Sequence, residues 1–204
     1  MAIDPATLSI VHYPDPILRT RCEPLPEVTD EVRAVAHRMI EIMLKAPGLG
    51  LAAPQVGLLW RLFVCHVPLD PLDPADPDSR LEPDPSSPPS STPSPPLVSA
   101  TPEPIVYINP VLSAPANPVE SESEGCLSLP DITGDIPRPR TITIEALDLA
   151  GAPFRQTATG LLARCWQHEA DHLDGVLILD RMSSLSRLRV RSAVRSLEKA
   201  AGVR

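Results

Sequence analysis

Aromatic side chains are scarce in this chain of 204 residues, which has two Trp, two Tyr and two Phe, or 3% in all. A core with so few rings must draw its apolar area from Leu, Ile, Val and Ala. A hydrophobic content of 43% is still ample for one ordinary domain. No run of about 18 apolar residues occurs, so no membrane-spanning helix is expected. Positive charge is also short. Eighteen Lys and Arg stand against 26 Asp and Glu, and a net charge of −8 argues against a general DNA- or RNA-binding protein. Cysteine is limited to Cys22, Cys65, Cys126 and Cys165, without a C-x-x-C pair, which points to free thiols in a reducing compartment. Cys22 and Cys65 read as buried structural thiols. The first ten residues lack the basic start and apolar run of a secretory signal, so the expected location is the cytoplasm.

The periodicities predict alternating helices and strands. Val32, Val35, Ala36, Met39, Ile42 and Met43 recur at spacings of three and four and predict a helix over 30–45. Asp30 and Glu31 suit its positive end, Lys45 its negative end, and Pro47-Gly48 stops it. Residues 61–67, 105–109 and 141–148 read as strands. A turn at Ala150-Gly151 then leads to a partner strand around 154–157. A helix over 160–173 is expected to pack inward through Leu161, Leu162, Cys165 and Leu173. Another, over about 183–200, would use Leu185, Leu188, Val194 and Leu197 as its apolar side. That last helix carries Arg187, Arg189, Arg191, Arg195 and Lys199, a basic stretch in an acidic chain.

Proline is abundant, and its placement is uneven. About half of the chain's 27 prolines fall within residues 68–104, among Ser and Asp. Proline removes backbone donors and fixes φ, so neither helix nor ladder is expected there. The segment reads as an acidic, disordered or extended excursion from a single domain covering 1–204.

The most specific chemistry lies in His168-Glu169-Ala170-Asp171-His172. On a helix, positions i and i+4 share a face, so two imidazoles can bind one metal ion with a glutamate beside them for proton transfer. This H-E-x-x-H pattern leaves open the third ligand and the bond that is broken. Two other segments look specialised. Gly48-Leu-Gly-Leu-Ala-Ala-Pro-Gln-Val-Gly57 is rich in small residues that let a backbone approach a ligand, and it sets one amide, Gln55, in apolar company. Glu124-Gly-Cys-Leu-Ser-Leu-Pro130 offers Cys126, whose thiolate would be a strong ligand.

Taken together and in this order, the three segments resemble the signature of the peptide deformylase family: a G-x-G-L-A-A-x-Q loop, an E-G-C-L-S segment and a Q-H-E-x-D-H-L-x-G helix. The early run from Ile10 to Arg19 is similar to that family's N-terminal segment. The resemblance covers nearly the whole chain outside the proline-rich excursion, which is longer than the family's usual connection.

It implies an α+β fold with antiparallel or mixed sheets around a central metal-binding helix. It also implies a hydrolase that removes the formyl group from N-formyl-methionyl nascent peptides and releases formate. The implied ligands of one divalent ion are Cys126, His168 and His172, with water in the fourth position. Glu169 would act as general base and then acid, and Gln55 with the Leu127 N–H as donors to the oxyanion. Leu49, Gly50 and Gly125 would flank an extended substrate peptide, and Cys165 would face the side-chain pocket. Glu124 and Arg138 are expected to pair near the site. Sulfur plus two imidazoles suits Fe(II), Zn(II), Co(II) or Ni(II), and the family implies Fe(II). The basic C-terminal helix is a candidate ribosome contact.

A zinc peptidase of the H-E-x-x-H type is the competing reading. It would need an acidic third ligand downstream, and Glu198 is the only glutamate there. A silent relative that only binds formylated peptides is a second, and the intact ligand set with Glu169 argues against it.

Overall fold

The computed structural model describes residues 3–68, 97–114 and 118–203. Six strands form one sheet in the order β1 (Gly50–Ala52), β2 (Leu62–Cys65), β4 (Ile105–Ser113), β7 (Thr141–Leu147), β8 (Pro153–Thr159), β3 (Leu97–Val98). All pairs are antiparallel except the edge pair β3–β8. A separate antiparallel hairpin joins β5 (Val119–Cys126) to β6 (Leu129–Pro139). The helices are α1 (Asp30–Lys45), α2 (Gly160–Leu173), the short α3 (Ile178–Arg181) and α4 (Ser184–Ala200).

The large sheet is covered on both faces, which explains why β2 reads as the continuous apolar run Leu62-Phe-Val-Cys65, with every side chain buried. Leu62 and Val64 turn towards α1, whose Val32, Val35, Ala36, Met39, Ile42 and Met43 are all buried in the same cluster. Phe63 and Cys65 turn towards α2, against Leu162, Trp166 and Leu173. Each fully buried aliphatic side chain contributes about 1.5–3 kcal/mol here. The few aromatics are concentrated in this second layer. Tyr107 stacks on Phe63 with ring centroids 4.8 Å apart and meets Phe154 and Trp166 at 5.6 and 5.5 Å. A third cluster joins the hairpin to the rest: Leu129, Ile132 and Ile136 of β6 pack on Leu18, Ile178 and Met182, with Val190, Val194 and Leu197 of α4 over them.

The helices over 30–45 and 160–173 have the expected bounds, and the expected α+β architecture holds. Three expectations need correction. Leu161 is half exposed, because it lies one turn before Cys165 on the cavity-facing stripe of α2, at that stripe's open end. Leu185 and Leu188 are exposed as well, since α4 packs through Ser186, Val190, Val194 and Leu197, and of the expected apolar side only Val194 and Leu197 lie on that line. The proline-rich excursion does contribute a ladder at its far end. Leu97-Val98, apolar and free of proline, pairs with Thr157 and Ala158, and the nearby Thr101 N–H donates to Val67 O at 2.7 Å. Residues 69–96, on which the rest of that expectation falls, lie outside the described residues. Among the described residues no helix is long and apolar enough to cross a membrane.

The C-terminal end of α2 is set against the backbone of residues 19–22. Cys22 N–H donates to Leu173 O at 2.8 Å, and Gly175 follows with φ +71°. A Cβ at Gly175 would stand 2.6 Å from the Arg19 carbonyl oxygen. Gly175→Ala is therefore expected to lower unfolding free energy by about 1–3 kcal/mol from backbone conformation alone, with the clash adding to this. Chemical denaturation reads the shift, and an unchanged midpoint would contradict this helix ending.

Candidate metal centre

The hairpin and α2 meet at one cluster of donors. Cys126 ends β5, and His168 and His172 stand one turn apart on α2, with ring centroids 5.0 Å apart. One ligand atom from each of the three lies within 4.8 Å of the others, and Cys126 Sγ is 3.2 Å from His172 Nε2. Burial, then the neighbouring His168 and Arg138, push the His172 pKa well down, which favours the neutral imidazole that metals bind. A soft sulfur and two imidazole nitrogens converging in this way fit a divalent transition metal.

His168 is oriented by Glu124, whose Oε2 is 3.1 Å from His168 Nδ1, so Nε2 is the nitrogen turned to Cys126. Such a carboxylate behind a ligating histidine fixes its tautomer and orientation. Burial opposes charge on His168, but hydrogen bonding by Cys126 and Glu124 holds its pKa well above the ordinary value. Glu124 is buried yet satisfied on several sides. The Arg138 Nε and Nη2 donate to it at 2.6 and 2.9 Å, and the Arg164 Nη1 donates at 2.8 Å. Burial would raise its pKa, but His168 and Arg138 bring it down to about 2. The expected Glu124–Arg138 pair is thus present within a longer network. Arg138 Nη1 also reaches Asp171 at 2.9 Å, and Arg181 reaches the same carboxylate at 2.6 Å.

Gln55 is fully enclosed, and its amide has one consistent orientation. Its Oε1 accepts from Ala52 N–H at 2.8 Å, which turns Nε2 towards Ser128 Oγ at 3.3 Å and Cys126 Sγ at 3.5 Å. Glu169 is also buried, and its Oε2 has no hydrogen-bond partner among the described residues. Burial is the largest influence on it and raises its pKa to about 7, against the lowering effect of His168 and Arg138. Gly50 makes room for it, since a Cβ there would come within 2.3 Å of Glu169 Oε1.

A cavity of about 640 Å³ opens beside these groups. Its lining includes Leu49, Gly50, Gln55, Gly125, Cys126, Leu127, Leu161, Cys165, His168 and Glu169, so every expected site residue except the deeper His172 borders it. Leu127 stands in the turn joining β5 to β6, against Gly48. Cys165 faces this cavity and not the three ligand atoms, and its Sγ lies 3.0 Å from Cys65 Sγ. Glu198, the third ligand required by the peptidase reading, instead accepts from Tyr13 OH at 2.7 Å.

Arg164, Asp171 and Ser128 escaped the sequence reading. Arg164 could have been found as the lone cation in the otherwise apolar first turns of α2, one turn before His168. Asp171 could have been found as the remaining acid of the histidine run. Ser128 carries no signal of its own.

Residues 7–188 match the family model described as polypeptide deformylase. The chain is 40% identical over 192 residues to the peptide deformylase of Acinetobacter baumannii, covering 94% of this chain and 92% of that one. It is 39% identical over 194 residues to the Pseudomonas aeruginosa peptide deformylase, covering 95% and 96%. The crystal structure of peptide deformylase from Ehrlichia chaffeensis superposes with a TM-score of 0.77 at 32% identity, over 95% of this chain and 98% of that one.

The donor set predicts that Cys126→Ala removes most of the affinity for Zn(II) or Fe(II). Metal analysis after dialysis reads the loss, and an equimolar ion retained by the variant would contradict the assignment of the thiolate as a ligand.

Proposed function

The chain belongs to the peptide deformylase family, and we propose that Cys126, His168 and His172 hold its metal ion, with Glu169 and Gln55 acting on the substrate beside it. Its activity is metal-dependent hydrolysis that removes the formyl group from the N-terminal formyl-methionine of nascent polypeptides. The observation that carries the residue assignment is the Gln55 amide, held by Ala52 N–H with its donor side aimed at Cys126. A fixed donor beside three convergent ligands suits a carbonyl oxygen that gains charge during reaction.

A divalent ion bound there supplies Lewis acidity towards the formyl oxygen and increases the acidity of water. Gln55 Nε2 and the Leu127 N–H donate to the formyl oxygen as negative charge collects on it, each such donor being worth about 3 kcal/mol of barrier. Glu169 accepts a proton from the water that attacks the formyl carbon, then returns a proton to the departing amine nitrogen. The products are formate and a peptide with a free amino group. Glu124 keeps His168 in one orientation throughout. The peptide backbone lies extended beside Leu49, Gly50 and Gly125, next to the free edge of β1, and the methionine side chain enters the cavity towards Cys165 and Leu161. Fe(II) is the ion proposed for the working enzyme, with Zn(II), Co(II) and Ni(II) suited to the same donors.

The proposed place of action is the cytoplasm, where nascent chains emerge. The exposed arginines of α4 are proposed to meet the ribosome. Deleting α4 would strip Val190, Val194 and Leu197 from the third cluster, so surface charge is the better probe. Replacing Arg189, Arg191 and Arg195 together by Glu should weaken cosedimentation with ribosomes by 10-fold or more, on the order expected for several phosphate contacts. Unchanged cosedimentation would remove the contact.

The direct test of the function is formate release from a formyl-Met peptide by protein loaded with Fe(II) under exclusion of oxygen. Turnover is expected, and none from freshly loaded protein would contradict the proposal. Glu169→Gln should retain the ion and lose activity by about 10²–10⁴-fold. An active variant would remove the proton-transfer role.

A further inference from the structure

Cys65 and Cys165 are 100 residues apart in sequence, yet their sulfur atoms lie 3.0 Å apart. A disulfide bond is about 2.05 Å long, so closing one here needs roughly 1 Å of side-chain movement. The two residues come from elements already packed together: Cys65 is in β2, opposite Gly50 and Ile105, and Cys165 is on α2 in the same cluster. Their environments differ in one respect. Cys165 borders the cavity, whereas Cys65 is fully buried behind it. A small reagent entering the cavity therefore meets one sulfur, with the other waiting behind it. Cys126 belongs to the ligand set, and Cys22, though buried in the same cluster as the pair, approaches neither sulfur as a hydrogen-bond partner among the described residues.

We propose that Cys65 and Cys165 form an oxidation site in the floor of the cavity, separate from the metal centre, where a small peroxide converts the two thiols to a disulfide. Cys165 Sγ attacks one oxygen of hydrogen peroxide, the O–O bond breaks, and the thiol proton leaves with the second oxygen as water. The resulting sulfenic acid is attacked by Cys65 Sγ. The S–S bond forms as the S–O bond breaks, and the departing hydroxide leaves with the Cys65 proton as a second water. Two thiols are oxidised, and one peroxide is reduced to two waters. Hydrogen bonding to Cys65 and burial raise the Cys165 pKa well above the ordinary thiol value, so little thiolate is present and the reaction is slow.

The product would change the site in two ways. Cys165 Sγ now lies 3.5 Å from Leu49 O as a weak donor, and oxidation removes that donor and draws the sulfur towards β2. The new bond would also join β2 to α2 around a long loop, which restrains the unfolded chain.

The test uses the full chain loaded with Zn(II), which has no redox chemistry of its own and keeps Cys126 engaged as a ligand. After treatment with hydrogen peroxide, the intact protein should lose the mass of two hydrogens. A digest without reductant should contain one peptide pair joining Cys65 to Cys165, and dithiothreitol should reverse both changes. The thermal midpoint of the oxidised form should rise by roughly 5–15 °C. Cys65→Ala should show neither the crosslink nor the rise. Should that variant fold poorly, the peptide map of the unaltered chain decides by itself. Accumulation of Cys165 sulfinic acid with Cys65 still a free thiol, or a crosslink joining any other pair, would overturn the proposal.

Discussion

A buried carboxylate must have its lone pairs met, and Glu124 meets this demand by drawing three separate pieces of the chain together. Arg138 comes from the opposite strand of its own hairpin, while Arg164 and His168 come from α2. Leaving such a carboxylate unpaired costs about 3–5 kcal/mol, so the hairpin can dock on the helix in few other ways. The network extends with alternating sign, from Glu122 through Arg164, Glu124 and Arg138 to Asp171 and Arg181. Ion pairs of this kind add little net stability over apolar packing, and their value lies in the arrangement they select. Here the selected arrangement brings Cys126, two residues beyond Glu124, to the two histidines.

The centre is thus held by two bodies with different tasks. The hairpin carries Cys126 and the turn at Leu127, and the helix carries both imidazoles and the Glu169 carboxylate. The sheet edge adds Gln55 and Gly50, the first fixed by a backbone donor and the second small enough to admit Glu169. Gln55 and His168 are each oriented by a partner behind them, so these two need little rearrangement when charge develops.

The sequence made α1 and α2 legible because their apolar residues recur at helical spacing and their ends carry stop signals. The hairpin was not legible for a physical reason. Glu120, Glu122 and Glu124 alternate along β5 with period two, but they face Arg140, Arg164 and Arg138 in place of an apolar core. An alternation of acids with serines does not look like a strand. In β6, Pro130, Pro137 and Pro139 lack the backbone N–H that a ladder uses, yet each strand of a two-stranded sheet has an outer edge that tolerates proline. Among the site residues, His168, Glu169 and His172 announced a metal by spacing alone. Cys126, Gln55 and Leu127 acquired their roles only through the resemblance, because contacts between distant segments leave no local pattern. Arg164 and Asp171 stand out by charge in the sequence, but only the docked hairpin supplies their partners Glu124 and Arg138.

X-ray absorption on the Zn(II)-loaded protein tests whether a sulfur from the hairpin and two nitrogens from the helix bind one ion together. One sulfur at about 2.3 Å and two imidazole nitrogens at about 2.0–2.1 Å are expected around the zinc. A shell of nitrogen and oxygen without sulfur, or one with two sulfurs, would contradict this ligand set.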